Sequence, residues 1–449
     1  MKRLLFACTA SAITILSSSA SAQVWLQDRA ATQGEGIRSG DIELHPGIGA
    51  ELGYDSNFFQ APANTPGYPV VGTAVMRVTP SFSVSTLTAN RAAGAEPPKV
   101  TFRAGAALAY EEYLTNTAAL QRNRDFGVIG DMALAIAPGR PLGFNLLDNF
   151  NRTAQPFLVA DGTAGLNRDE NRVAGEFVYT RPGGLLDWRL GYAFNNVYFE
   201  DPTVSYLNDV KHEIYTRGRW KFLPRTALVY DGSAQFIRYS GNVLPNSSPL
   251  RSRIGLAGLV GDRISVMAMI GWGASFYDTS RAPVGQFDSV IGQAEVRYFF
   301  GGTAPEAGQQ ATTTMSSFAV GFTRDFVNNF FTAFYEQDRG YVSLSGLLAQ
   351  RFYLSLQAGF SAIRYSPMLD TQGGATTLST GAGQGAFTDT RADASLYGEY
   401  RLTNWLAVTG TLQYLGEFSN HSFQELNSSM LIPLGFSRFQ GLAGLRAFW

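Results

Sequence analysis

The last eleven residues of the chain read FQGLAGLRAFW, Phe439 to Trp449, and they divide between two faces. Phe439, Leu445 and Trp449 fall on one face with only glycine and alanine between them, whereas Gln440 and Arg446 fall on the other. A period of two residues is that of a β-strand. Because one of its faces is wholly apolar, this strand predicts a sheet that presents one surface to lipid rather than to water.

The composition favours one large architecture. A chain of 449 residues would ordinarily hold two or three soluble domains, yet no linker and no shift of composition divides this one. Only 16% of the residues are charged, against about a quarter in a typical globular chain, while 13% are aromatic and 48 residues are glycine. Such a composition is typical of many membrane strands joined by turns. The formal net charge of -1 gives no sign of nucleic-acid binding.

The beginning of the chain predicts secretion. A basic start, an apolar or small stretch and an A-x-A site at Ala20–Ala22 identify residues 1–22 as a predicted signal peptide. Cys8, the single cysteine, would be removed with it, so we expect a mature chain from Gln23 with no disulfide, thiol nucleophile or cysteine metal site. No later run approaches 18 apolar residues, so any membrane segment is expected to be a strand.

Alternation of polar and apolar side chains recurs over lengths that can span a membrane, about 9 to 11 residues. From Asp389 to Leu402, charged and hydroxyl side chains occupy the odd positions and mostly apolar ones the even positions. One such strand would fit a soluble β-sandwich equally well. Repetition of the pattern at 76–85, 213–222 and 292–300 favours a barrel, which places water inside and lipid outside.

The connections alternate between short and long, as they do in outer-membrane barrels. Short turns are expected near 138–141, 181–184, 223–225, 261–262, 350–351 and 403–404. Long external loops are expected near 55–71, 114–123, 153–167, 199–209, 240–250, 279–286, 326–339, 367–387 and 420–436. Nine loops imply an all-β, antiparallel up-and-down barrel of about 18 strands over residues 41–449, with both termini in the periplasm.

Three segments fit this scheme less well. The stretch VNNFFTAFYEQDR, Val327 to Arg339, could be a further strand, but a further strand would break the even count, so we interpret 326–339 as an aromatic-rich loop. Residues 88–98 and 301–313 are long for periplasmic turns. Residues 23–40 form a predicted periplasmic arm, which could fold into the barrel mouth, bind a periplasmic partner or be a disordered lead-in, the interpretation we favour.

Catalysis is not expected. The predicted mature chain has three histidines, His45, His212 and His421, and none stands in a pattern that places a base beside a nucleophile. Their scatter gives no zinc site, and no acidic loop has the spacing of a calcium site. We therefore expect no enzyme activity, no metal and no cofactor.

The lumenal face of the predicted barrel carries charge unevenly along its axis. Seven basic residues are expected toward the periplasmic end, and we call them the basic collar: Lys99, Arg103, Arg189, Arg219, Lys221, Arg297 and Arg401. Four acidic residues are expected toward the external end: Glu111, Asp389, Asp393 and Glu417. A basic inner mouth would concentrate an anionic solute by focusing the field in a low-dielectric wall. Alternatively, these arginines only satisfy carbonyls and balance nearby carboxylates.

Three stretches resemble outer-membrane barrel proteins. The final strand, with Phe439, Leu445 and Trp449, resembles the C-terminal signal by which the barrel-assembly machinery recognises its substrates. GYDSNFF, Gly53 to Phe59, is similar to the Tyr-Asp-x-Asn-x-Phe stretch of porin families. GFTRDF, Gly321 to Phe326, looks like barrels of roughly 18 strands associated with bacterial exopolysaccharide secretion. This resemblance implies a conduit in the outer membrane that works with periplasmic export proteins, although no large helical repeat domain is present in the sequence.

Three functions remain open at this point. Export of an anionic polysaccharide is the leading hypothesis, and a general or substrate-selective diffusion porin is the second. The third is a structural anchor of a surface adhesion or motility complex, which exposed aromatic loops such as 326–339 would favour. The sequence identifies neither the solute nor the oligomeric state.

Overall fold

The structure is a computed structural model, and it describes most of the predicted barrel. The described residues are 36–65, 69–86, 99–115, 120, 125–153, 156–159, 162–165, 167–241, 244–278, 285–300, 316–329, 332–349, 351–367, 386–424 and 431–449. The predicted signal peptide and most of the predicted arm lie outside them. Within this part of the chain, the structure contains no helix that is long and apolar enough to cross a membrane.

Eighteen long strands follow one another along the chain. They are β1 (Ile42–Asp55), β2 (Thr73–Thr86), β3 (Val100–Tyr113), β4 (Asp125–Ile136), β5 (Leu142–Thr153), β6 (Arg168–Thr180), β7 (Leu186–Phe199), β8 (Asp209–Leu223), β9 (Thr226–Tyr239), β10 (Ser247–Val260), β11 (Ile264–Tyr277), β12 (Phe287–Phe299), β13 (Ser317–Asn329), β14 (Ala333–Leu348), β15 (Phe352–Tyr365), β16 (Phe387–Arg401), β17 (Leu406–Phe418) and β18 (Phe436–Phe448).

Each strand pairs antiparallel with the next, and the last strand returns to the first. The β1–β18 ladder runs from the pair Gly47 and Phe448 to the pair Asp55 and Gln440, so the sheet closes on itself. The predicted fold class, an antiparallel barrel of 18 strands, is confirmed. A short strand, Ile37–Ser39, belongs to the predicted arm and pairs with the start of β1, where β18 has already ended.

The two ends of the barrel differ. One end, here called the turn end, carries both described chain ends and most of the short connections, for example 224–225 between β8 and β9. The opposite end, here called the loop end, carries the connections that follow β1, β3 and the other odd-numbered strands. Three of these contain small elements: a hairpin of Pro156–Val159 and Gly162–Gly165, a 3-10 helix at Pro202–Leu207, and a hairpin of Ser422–Gln424 and Leu431–Pro433.

The prediction of an external loop at 326–339 is wrong. Strand β13 continues to Asn329 and β14 begins at Ala333, so that only 330–332 connect them, and the two strands pair along this whole length. The even strand count is unaffected, because both neighbouring strands are simply longer than expected. Aromatic side chains favour strands, and the prediction mistook the extensions of two strands for a loop.

The outer surface of the barrel is apolar. Leu52 and Ile270, on strands far apart along the chain, are 59% and 65% exposed on this surface. Phe439, Leu445 and Trp449 of the closing strand lie on the same surface. Because the sheet closes, none of its 18 strands is an edge strand, and its outward apolar row suits hydrocarbon rather than water. The chain is therefore a multi-pass β-barrel of the outer membrane.

The closing seam is tight at two glycines. A Cβ atom on Gly444 would lie 2.0 Å from the carbonyl oxygen of Ala50, and one on Gly53 would lie 1.9 Å from the carbonyl oxygen of Gly441. These obstacles are backbone atoms, which cannot turn aside as a side chain can. The ladder between β1 and β18 therefore requires glycine at both positions.

We expect the substitution Gly444→Val to prevent closure of the barrel, because its side chain would collide with the backbone of β1. The folded, heat-modifiable band on SDS gels should be lost or should melt at a temperature at least about 5 °C lower. Gly410→Val on β17 is the matched control, since a Cβ there meets no atom within 4 Å. Equal melting of both variants would contradict a closure role for Gly444.

Candidate functional site: the charged lumen

Strand alternation places pairs of opposite charges along the inside of the barrel. Arg77 on β2 lies 2.7 Å from Glu51 on β1, and Arg391 on β16 lies 2.7 Å from Glu417 on β17. These pairs join neighbouring strands, so each guanidinium meets a carboxylate at similar height on the wall. Charge-assisted hydrogen bonds of this kind are shorter and stronger than neutral ones. They fix the lumenal side chains in place.

One sector of the lumen is filled. Tyr353 of β15 and Tyr397 of β16 pack in one cluster with Ala107 of β3, although β17, β18, β1 and β2 lie between β16 and β3 around the wall. Glu399 accepts hydrogen bonds from Tyr397 at 2.8 Å and from Arg446 at 2.7 Å. All of these side chains are buried. In this sector, side chains from separated strands meet, and little room is left for solute.

The ion pair of Glu399 and Arg446 gives a stability test for the filled sector. Because both side chains are almost inaccessible, Glu399→Leu leaves a buried guanidinium without its carboxylate and should destabilise the barrel by about 3–5 kcal/mol. Unfolding of the refolded protein in guanidinium chloride measures this change in the free energy of unfolding. Asp262→Asn breaks the exposed pair with Arg225 and should cost less than about 1 kcal/mol. Similar losses in both variants would contradict the packed sector.

A second part of the lumen, on β3 and β6–β8, presents arginines to water. Four of them form what we call the arginine strip: Arg103 on β3, Arg172 on β6, Arg189 on β7 and Arg217 on β8. Their side chains remain 37–59% exposed although each has an acidic neighbour. Arg189 lies directly opposite Arg217 in the β7–β8 ladder. Like charges in this position are unfavourable for stability, so the arrangement is costly for the sheet itself.

A tyrosine and two carboxylates hold the strip in place. Arg172 and Arg217 lie over the ring of Tyr215, at 5.7 and 5.3 Å from its centroid, and the hydroxyl of Tyr215 donates to Glu176 at 3.3 Å. Arg172 also lies 2.6 Å from Glu213. Cation–π stacking and ion pairing orient these guanidiniums without burying them. The strip therefore stays exposed on the lumenal face.

The seven residues of the predicted basic collar lie at or near the turn ends of their strands. Arg103 lies within 4 Å of Asp131, Arg189 of Glu176, Arg297 of Glu295 and Arg401 of Glu399. Lys99, Arg219 and Lys221 lie at the same end of the barrel. This surface mixes both signs of charge, so field focusing by the collar stays a prediction.

The four predicted external acids lie in the loop-end half of the barrel, and each faces a basic or titratable neighbour. The pairs are Glu111 with Arg77 at 3.8 Å, Asp389 with His421 at 3.4 Å, Asp393 with Arg339 at 2.5 Å, and Glu417 with Arg391 at 2.7 Å. The loop-end lumen is therefore not simply acidic. The sequence analysis placed Arg77, Arg217, Arg391 and Arg446 on polar strand faces without adding them to the collar. It did not assign five further lumenal arginines, which the same alternation identifies: Arg172, Arg251, Arg253, Arg339 and Arg438.

The first motif, GYDSNFF, folds the loop after β1 inward. Asp55 pairs with Arg438 of β18, and Asn57 donates to the carbonyl of Ser437 at 3.0 Å. Phe58 and Phe59 are buried with Val75, Tyr113, Leu120 and Leu442. The motif thus ties the closing seam at the loop end and covers part of the mouth with aromatic rings.

The second motif, GFTRDF, is where β13 leaves the wall. Asp325 pairs with Arg251 at 3.0 Å, and the ring of Phe326 stacks on Phe287 at 4.2 Å. Asn328 donates to Ser275 at 2.8 Å. These partners lie on the lumenal face of β10, β11 and β12. We call Asp325–Asn328 and 332–335 the inward tip, because this end of the β13–β14 hairpin lies inside the barrel.

The three histidines contact different partners in the described structure. His45 contacts the carbonyl of Trp449 at 2.9 Å, His212 bonds to the hydroxyl of Tyr192 at 2.7 Å, and His421 contacts Asp389. Across the described residues, no group of three or more His, Cys, Asp and Glu side chains could hold a metal ion.

No protein-family model and no curated protein matches the sequence. Solved structures with similarity include OpdK of Pseudomonas aeruginosa with vanillate, at 14% identity and a TM-score of 0.42, covering 90% of this chain and 99% of that one. The FrpB iron transporter of Neisseria meningitidis gives 9% identity, a TM-score of 0.44 and coverage of 95% and 83%. The siderophore receptor PiuA of Acinetobacter baumannii gives 9%, 0.44, 92% and 82%. At these identities and TM-scores, the similarities do not indicate which solute, if any, crosses this barrel.

Proposed function

We propose that the protein is a substrate-selective diffusion channel for small anionic solutes, which pass along the arginine strip. The observation that carries this proposal is the division of the lumen. Side chains fill the sector around Tyr353, Tyr397 and Glu399, whereas Arg103, Arg172, Arg189 and Arg217 stay open to water along β3 and β6–β8.

The strip suits weak, stepwise binding. Each guanidinium already has a carboxylate nearby, so a passing anion exchanges one partner for another instead of meeting a bare charge. Conduction requires binding that is favourable enough for entrance and weak enough for release. The directly opposed Arg189 and Arg217 offer two donors to one anion, which supports selectivity for carboxylates or similar groups.

Polysaccharide export, the leading hypothesis from the sequence, is supported less well. A moving polymer needs a continuous wide lumen, and the cross-lumen cluster of Ala107, Tyr353 and Tyr397 reduces its width. The anchor hypothesis also loses support, because the aromatic residues that would form an exposed contact surface, such as Phe326 and Phe334, pack inside the barrel. Periplasmic export proteins are expected as partners only if the protein exports polysaccharide.

The test is the ion selectivity of single channels in planar bilayers. Combined Arg172→Gln, Arg189→Gln and Arg217→Gln leaves their carboxylate partners behind, so the anion-to-cation permeability ratio should fall by about tenfold. The reversal potential in a salt gradient measures this ratio. The matched control changes the same number of charges outside the lumen, at Arg140, Arg181 and Arg225 in the short turns. An unchanged ratio in the strip variant would overturn the proposal.

Two further experiments test the basic collar and polysaccharide export. Replacing Arg219, Lys221 and Arg297 by Gln tests the basic collar, and a loss of selectivity confined to this variant would move the selective region to the turn end. Long anionic polysaccharide added to either side tests export, because a conduit for polymer should show long blockades. Small anions that carry current without polymer blockade support the diffusion channel.

A further inference from the structure

The barrel wall is interrupted between β12 and β13. Their ladder begins at Phe299 and Ser317 and ends at Gly292 and Arg324, yet β12 continues to Phe287 in its pairing with β11. Strand β13 likewise continues to Asn329 in its pairing with β14. The loop-end portions of β12 and β13 therefore separate, and the inward tip lies across the lumenal face of β10–β12.

Charged side chains take the place of the missing backbone bonds. The carbonyl of Val290 accepts from Nε of Arg324 at 3.0 Å, and the N–H of Phe326 donates to the carboxylate of Asp325 at 2.8 Å. The carbonyl of Phe326 accepts from Arg251. Unpaired backbone groups are costly where water is excluded. These three groups are satisfied without the ladder.

The ladder could also resume in its existing register. Counting on from the pair of Gly292 and Arg324, Val290 would face Phe326 and Ser289 would face Val327. An antiparallel pair exchanges both backbone bonds, so Val290 and Phe326 could replace the bonds that Arg324, Asp325 and Arg251 now supply. The odd positions Ser289 and Val327 would then face the lumen, as Gln293 and Thr323 already do.

The contacts of the inward tip are numerous but replaceable. Asn328 donates to Ser247 at 2.9 Å, and Tyr277 donates to the carbonyl of Ala333 at 3.1 Å. The ring of Phe334 lies 5.3 Å from that of Phe287 and 5.9 Å from that of Tyr277. These contacts join the tip to side chains of β10–β12 and include no backbone ladder. The β14 half of the tip is bonded to β15, because Tyr335 pairs with Tyr365 and the N–H of Ser366 donates to the carbonyl of Phe334. The tip can therefore leave β10–β12 while β14 stays paired with β15.

We propose that the β13–β14 hairpin is a gate with two states. In the closed state, which is the structure described above, its tip lies inside the barrel against β10–β12. In the open state β13 pairs again with β12 up to the loop end, and the tip becomes part of the wall. Arg324 is the hinge residue: its pairs with Asp338 at 3.2 Å and Glu336 at 2.8 Å remain on the hairpin in both states.

Disulfide trapping tests the gate in a chain whose predicted mature form has no cysteine. Ser289→Cys with Val327→Cys should form a disulfide in the open state, because paired strands bring their Cα atoms to within bonding range. Even an open state populated at about 0.1–10% is trapped progressively under oxidant. After oxidation we expect the single-channel conductance to rise by about twofold, and a reductant should reverse the change.

The control pair is Gln293→Cys with Thr323→Cys, which are already opposite each other on the same two strands. This pair should form a disulfide rapidly and leave conductance unchanged. Failure of Ser289→Cys with Val327→Cys to cross-link, while the control pair does, would overturn the gate, as would cross-linking without a change in conductance. The cross-linking readout does not depend on which solute the channel carries, so it fails or succeeds separately from the selectivity test.

Discussion

The structure depends on the requirement that every backbone N–H and C=O in a lipid-facing wall finds a partner. Seventeen antiparallel ladders between successive strands and one between β1 and β18 meet it along almost the whole barrel. Between β12 and β13, the backbone groups find side-chain partners instead, because Arg324, Asp325 and Arg251 bond to them. A polar motif is needed there because an apolar sequence could not supply these substitutes.

The same inner face carries the ion pairs that support the wall and, in our proposal, the path of the solute. Where arginines and carboxylates are buried together, as around Glu399 and Arg446, they hold the strands in register and fill space. Where they stay open to water, as at Arg189 and Arg217, the sheet gains little from them and even opposes like charges. This contrast within one barrel separates the residues that support the wall from those that are available to a solute.

Much of the fold could be predicted from the sequence, because alternation reports which face each side chain occupies. Residues 389–402 and 439–449 show it directly, and the even strand count followed from the connections. The inward tip could not be predicted in this way. Its aromatic residues read equally as loop or strand, and only the loss of pairing after Arg324 shows that Phe326 turns to the lumenal side. Likewise, alternation predicts that a charged side chain faces the lumen, but it does not predict which side chain pairs with it. The predicted collar was therefore purely basic, whereas the structure places carboxylates beside its arginines.

The pair of Asp55 and Arg438 has a consequence for assembly. Its two residues are 383 positions apart, because the pair stands at the ladder between the first and the last strand. The other ladders of the barrel join strands that are consecutive along the chain. Contacts between distant residues form late, because the intervening chain must be ordered first. A growing sheet of hairpins thus has two open edges until its first and last strands meet. The GYDSNFF corner and the final strand are then the last parts to join, and defects at this seam should leave an inserted but unsealed sheet.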